Sequence, residues 1–277
     1  MTHQPTISPM REARSAGEGF VHSRIFEVLA RAGFVARGLV YGIIGLLAFD
    51  LAVGLGGKLA NQKGALRTIE HQPFGHVLLA VVAVGLAGYS VWRLVRAALG
   101  HGPEGSDTTL ERLGGLGSGI VYALMCVLAV EILLSSAGSS GGAQKTTKDV
   151  FALPAGHWVI GIAGIVMIAV GIYQLVRGVR QKFLDDSKTE QMGPALKKWF
   201  TRFGTVGHVA RAIIFALVGI FLIKAAIDYR ADEAIGLDGA LAKVYGAPYG
   251  PWLLGAVALG LLIFGLFSIG EARYRRI

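Results

Sequence analysis

The sequence predicts an all-α integral membrane protein, with six transmembrane helices arranged as three parallel two-helix repeats about a pseudo-threefold axis along the membrane normal. Composition, six apolar runs and an internal repeat that joins the runs in pairs predict it. Of the 277 residues, 53% are hydrophobic and only 16% charged, and the mean hydropathy is positive, which places the chain outside the range of soluble globular domains. The apolar runs cover residues 34–54, 75–97, 114–137, 156–177, 206–227 and 250–270. Each reaches the roughly 20 residues that a helix needs to cross about 30 Å of hydrocarbon. Ten-residue alternating segments, which a membrane barrel requires, are absent.

Residues 1–19 are polar and carry Pro5, Pro9, Arg11, Glu12, Arg14 and Glu18. They read as a disordered cytoplasmic tail with no cleaved signal peptide. Repeat one then spans 20–104, repeat two 105–190 and repeat three 191–277. Residues 20–32 and 194–203 form amphipathic lead-ins to spans one and five. Between spans one and two, Gly64-Ala65-Leu66, apolar residues at helical spacing (Leu66, Ile69) and the stop Pro73-Phe74-Gly75 predict a short interfacial helix. Repeat three has the same signal in Leu241, Val244 and Tyr245 followed by Pro248-Tyr249-Gly250. Trp92, Trp158, Tyr173, Trp199 and Trp252 fall near span ends, where aromatic anchors belong.

The repeat is read from fixed offsets. A shift of 81 pairs Tyr41 with Tyr122, Asp50 with Glu131, Pro73 with Pro154, Gly75 with Gly156, His76 with His157 and Arg96 with Arg177. A shift of 174 pairs Arg37 with Arg211, Gly45 with Gly219 and Asp50 with Lys224. Beyond the connection the shift is 175, pairing Pro73 with Pro248, Gly75 with Gly250 and Gly85 with Gly260. A two-span unit re-enters from the same side each time, so its copies are related by rotation about the membrane normal and equivalent residues share a depth.

Arg37 and Gly38, Gly64 to Leu66, Pro73 and Gly75, and Gly85, Leu86 and Tyr89 follow the repeat pattern of domain-of-unknown-function family 1206, which this chain resembles over about residues 30–276. Repeat two departs most, with Ser118 for the arginine and no Gly-Ala-Leu. The resemblance implies three tandem domains in a bacterial six-span membrane protein and implies no reaction.

Seventeen of the Lys and Arg residues lie in the tails and the even-numbered connections, against seven in the odd-numbered ones. By the positive-inside rule both termini are cytoplasmic, and the location expected is the bacterial inner membrane. The net charge of +9 then reflects topology, and no nucleic acid is expected as a partner. Cys126, the single cysteine, lies in a span, which excludes a disulfide framework.

Candidate site residues are the ionisable groups inside the spans: Asp50, Glu131 and Lys224 at one repeat position, with Arg37 and Arg211 deeper. Buried charge in a bilayer is costly, so such groups face a bundle interior or a wet cavity, or bend toward the headgroups. His71, His76 and His157 lack ligand spacing, so no metal and no cofactor is expected. Gly38 with Gly42 and Gly115 with Gly119 allow close helix approach, within the chain or between subunits. No nucleotide loop, Ser-His-Asp order or paired His-Glu motif is present, so no enzymatic activity is expected. The functional expectation is passage or sensing of protons, ions or a small solute through the polar layer. The alternative is a structural or scaffold protein of the envelope, with the lipid bilayer, a second copy or other membrane proteins as partners.

Overall fold

The computed structural model describes residues 24–56, 59–99, 109–134, 156–230 and 233–276. The predicted tail over 1–19 and the connection between the two spans of repeat two lie outside the described residues. Within them the chain forms α1 (Arg24–Ala52), α2 (Gln62–Glu70), α3 (Gly75–Leu99), α4 (Thr109–Leu134), α5 (Gly156–Val179), α6 (Pro194–Ile227), α7 (Leu237–Tyr245) and α8 (Gly250–Tyr274), with two single 3₁₀ turns at Lys182–Leu184 and Thr189–Gln191. Six of these, α1, α3, α4, α5, α6 and α8, are long and apolar enough to cross a membrane.

The lead-ins are not separate elements. Residue 24 onward and residue 194 onward run without a break into α1 and α6, giving helices of 29 and 34 residues. Gly204 and Gly207 do not break α6, because the ring of Phe183 and the backbone of Phe264 fill the space that a side chain would take. Pro194 opens the helix at its first turn, where its missing N–H costs nothing.

The two short helices are α2 and α7, and both end in the same turn. The equivalent residues Phe74 and Tyr249 take positive φ of 61° and 59°. The glycines that follow, Gly75 and Gly250, lie so close to the carbonyls of Glu70 and Tyr245 that a Cβ would collide with them. The amides of Gly75 and Gly250 donate to the Gln72 and Ala247 carbonyls, each at 2.8 Å. Leu66 and Ile69 on α2, and Leu237 and Leu241 on α7, face inward and are buried. Here α2 rests on α1, α3 and α4, and α7 on α6 and α8.

Each long helix packs antiparallel to its neighbours in the order α4, α3, α1, α8, α6, α5. The second helix of one repeat thus lies against the first helix of the next: α3 on α4, α5 on α6, and α8 back on α1. Repeats one and three also pack as hairpins, α1 on α3 and α6 on α8. The helices of repeat two stand at opposite ends of the row and share no extensive contact, so the row leaves open the one seam that a closed pseudo-threefold ring would add. Gly38 meets the Gly265 backbone across α1 and α8, and Gly119 meets Leu94 across α4 and α3, which makes these predicted contact faces intramolecular.

Candidate functional site

The end of the bundle where α1 starts and α8 finishes is its base; the end carrying α2 and α7 is its crown. The densest polar cluster lies toward the base, on the α1–α8 seam. Arg37 is buried there. Its Nε donates to Ser268 Oγ at 2.8 Å, one terminal nitrogen donates to the Tyr89 hydroxyl at 2.7 Å, and the other is ion-paired with Glu271. Ser268 in turn donates to the Phe34 carbonyl at 2.8 Å. The rings of Phe34, Tyr89 and Phe264 stand 4.9 to 5.2 Å from the guanidinium, close enough for cation–π attraction.

From Glu271 the charges alternate outward. Arg275 pairs with Glu271 at 2.8 Å and with Asp186 at 2.9 Å, and Asp186 also pairs with Arg177. Asp186 belongs to the connection between α5 and α6, which is clamped to the end of α8: Lys188 N donates to the Tyr274 carbonyl at 2.7 Å and Arg276 N to the Asp186 carbonyl at 2.9 Å. Burial pushes the Asp186 carboxyl up. Arg275 and Arg177 outweigh that and hold it well below the usual carboxylate range.

Arg211 occupies the same repeat position as Arg37, on the α5–α6 seam. Gln174 stands at the position equivalent to Ser268, by the offsets 81 and 175 from Arg93. Oriented by its hydrogen bonds, the Gln174 amide oxygen accepts from both terminal nitrogens of Arg211 at 3.0 and 3.1 Å. Phe264, Tyr41 and Phe215 approach the guanidinium at 4.4, 4.9 and 5.0 Å. The two seams then diverge. The position of Glu271 is held in repeat two by Arg177, which turns to Asp186 instead. Among the described residues no carboxylate pairs with Arg211, and its Nε is buried without a hydrogen-bond partner. In repeat two's first helix the arginine is Ser118, while the Ser268 position on α3 is Arg93, so serine and arginine are exchanged between the two helices of that seam.

Beside Arg211 is a cavity of about 190 Å³. Ile214, Phe215 and Val218 continue its wall along α6, and Tyr41, Met167 and Leu261 close it from α1, α5 and α8. Gln62 of α2 and Leu237 of α7 reach it from the crown.

The predicted layer of Asp50, Glu131 and Lys224 is placed differently. Lys224 is exposed and pairs with Glu233 at 2.8 Å and Asp228 at 3.9 Å. Glu131 is exposed and Asp50 half-buried, and among the described residues no ion pair joins the three. Arg37 and Arg211 are not drawn to that layer either, being held nearer the base. Trp92 is no interfacial anchor: it is fully buried against Phe34 at 5.1 Å. Trp158, Trp199 and Trp252 are exposed. His71 and His76 are exposed, and His157 lies 3.3 Å from the Tyr229 hydroxyl. Sequence reasoning passed over Glu271, Arg275, Asp186, Ser268, Gln174 and the buried His208. His208 stacks on Phe183 at 5.2 Å and donates from Nδ1 to the Gly204 carbonyl at 2.7 Å. The offset already in hand, carried to residue 96, would have found the change of sign from Arg96 and Arg177 to Glu271.

The family described as Domain of Unknown Function (DUF1206) matches three times, at residues 32–100, 113–181 and 206–275, and the chain belongs to it. It is 34% identical over 248 residues to the uncharacterized protein YxxB of Bacillus subtilis (strain 168), covering 88% of this chain and 90% of that protein. No solved structure matches it.

Proposed function

We propose that this multi-pass membrane protein holds a small solute inside its bundle and senses it, without conducting protons or ions. The observation that carries the reading is the cavity walled by α1, α5, α6 and α8 and reached by α2 and α7 at the crown, with Arg211 charged at its side. A binding site in a bundle is built in this way, from apolar walls with a few placed polar groups. Against conduction stands the dispersal of Asp50, Glu131 and Lys224, and the saturation of the basal charges by one another. A solute that fits adds its binding free energy to the folded state alone. Thermal unfolding in nanodiscs against anionic, neutral and cationic solutes is expected to show a concentration-dependent rise in Tm for one class, lost in Val218→Phe. Proton flux in reconstituted vesicles is expected to stay at background. Flux above background, or no stabilising solute in any class, would overturn the reading.

A second reading, a scaffold for other membrane proteins, is favoured by one observation. α4 and α5 are the least buried long helices and flank the open seam. It predicts that cross-linking from exposed positions such as Leu124 and Ile165 captures the same membrane partner reproducibly.

A further inference from the structure

We propose that the cavity beside Arg211 binds a small monocarboxylic acid with an apolar body of about the size of benzoate, and that Arg211 is its carboxylate clamp. The proposal rests on the reading that the bundle holds a small solute, and names the class.

The internal repeat supplies the first argument. Arg37 and Arg211 are equivalent, and each is met across an equivalent seam by an equivalent acceptor, Ser268 or Gln174. Arg37 is completed by the carboxylate of Glu271. Arg211 has no carboxylate partner among the described residues, and where Arg37 finds Glu271 its own seam carries Arg177. Arg211 is half-buried with its Nε fully covered, and a guanidinium partly sequestered in a bilayer-spanning bundle without a counter-charge is costly. An anion entering the cavity would provide the charge that repeat three's second helix provides for Arg37.

The donor set selects the headgroup. Of the five N–H donors of a guanidinium, Gln174 takes two, leaving Nε–H and two terminal N–H groups, enough for the two parallel bonds of a carboxylate. A phosphate dianion would need further cations or free backbone amides. The cavity offers no second cation, Arg211 being the single charged residue of its lining among the described residues, and the amides of its α6 wall are spent within that helix.

The walls and the volume select the body. Met167, Ile214, Val218 and Leu261 are apolar, so the rest of the ligand is apolar too. A dry cavity of about 150 Å³ accommodates benzene, whereas drug-sized ligands take about 300 Å³ or more. At about 190 Å³ the space holds a ring or a short chain, and a long acyl chain does not fit.

The test uses the full chain in nanodiscs and calorimetric titration with benzoate, its neutral analogue benzyl alcohol, the cation benzylamine, and palmitate as the lipid-derived source of the same headgroup. Benzoate is expected to bind at least tenfold more tightly than benzyl alcohol, with benzylamine and palmitate showing no binding at the cavity. Val218→Phe, which fills the space and keeps the charge, is expected to weaken benzoate binding at least tenfold. Arg211→Gln is expected to abolish the preference for benzoate over benzyl alcohol. Arg211→Lys, the variant to use if the glutamine form does not fold, is expected to lose most of it, because an ammonium lacks the fork. Equal affinity for benzoate and benzyl alcohol, both sensitive to Val218→Phe, would overturn the carboxylate and leave the solute reading standing. Unchanged benzoate affinity in the Arg211 variants, or binding of palmitate in place of benzoate, would overturn the clamp. Binding of none of the four would overturn both.

Discussion

Arg37 is where the chain depends most on a single charge being met. Removing one partner of a buried ion pair leaves the other without compensation, at a cost of about 3 to 5 kcal/mol, whereas replacing both by apolar groups of similar volume is often close to neutral. Glu271→Gln is therefore expected to destabilise the protein strongly in detergent unfolding. Arg37→Met with Glu271→Met is expected to recover most of the loss, even though Ser268 loses its donor, Tyr89 keeps only that of Arg93, and Arg275 keeps only Asp186 as its carboxylate. A double mutant no more stable than Glu271→Gln would show that the hydrogen bonds to Ser268 and Tyr89 and the Arg275–Glu271 pair together carry the larger share. At the other end of the charge chain, the lowered Asp186 carboxyl fixes the sign of a pH effect. A carboxylate held below its unfolded value of about 3.9 contributes stability that is present above that value and lost as pH falls through it toward the folded one. Acidification from about pH 5 to about pH 3 is expected to weaken the wild type progressively. Asp186→Asn should start less stable at neutral pH and show a shallower acid limb. At this scale the sequence exposed the intramembrane arginines, because a charge in an apolar run stands out. It concealed Glu271 and Asp186, which sit at a span end and in a connection where acids are ordinary.

The elements were legible wherever backbone chemistry dictates them. Pro-aromatic-Gly at 73–75 and 248–250 announced a stop, and the structure supplies the reason: an aromatic residue at positive φ followed by a position with no room for a Cβ. Gly75→Ala and Gly250→Ala are each expected to cost more than the roughly 1 to 3 kcal/mol typical of overpacking, since the obstacle is a carbonyl of the preceding helix and no side chain can move aside. Limited proteolysis should then cut faster in the α2–α3 or α7–α8 turn of the variant concerned. Equal cutting of wild type and variants would show that the turn adapts. The lead-ins illustrate the reverse case. Their amphipathic pattern was plain, but a change from polar to apolar composition reads as a boundary, and the helical backbone crosses it undisturbed. Trp92 misled for a related reason: nearness to a span end predicts an interfacial ring only when no neighbouring helix covers it, and here Phe34 of α1 does, with Tyr89 of the same helix beside it.

At the scale of the molecule, the repeat in sequence predicts what is equivalent but not which copy touches which. Within-repeat hairpins are the local expectation. The larger seams join successive repeats instead, α3 to α4, α5 to α6 and α8 to α1, and this arrangement puts Glu271 of the last repeat on Arg37 of the first. Disulfide trapping tests the order directly. The Cβ of Ala52 lies 3.7 Å from the position a Cβ on Gly255 would take, and that of Ala226 3.4 Å from the corresponding point on Gly161, both close to the separation a disulfide spans. In a Cys126→Ser background, Ala52→Cys with Gly255→Cys is expected to close the α1–α8 seam on mild oxidation, and Gly161→Cys with Ala226→Cys the α5–α6 seam. Leu124→Cys with Ile165→Cys, placed near mid-span on the two helices of repeat two, is expected to stay reduced. Efficient closure of that third pair within one chain would mean that the row shuts into a ring, and that the flank left open between α4 and α5 is no surface for a partner.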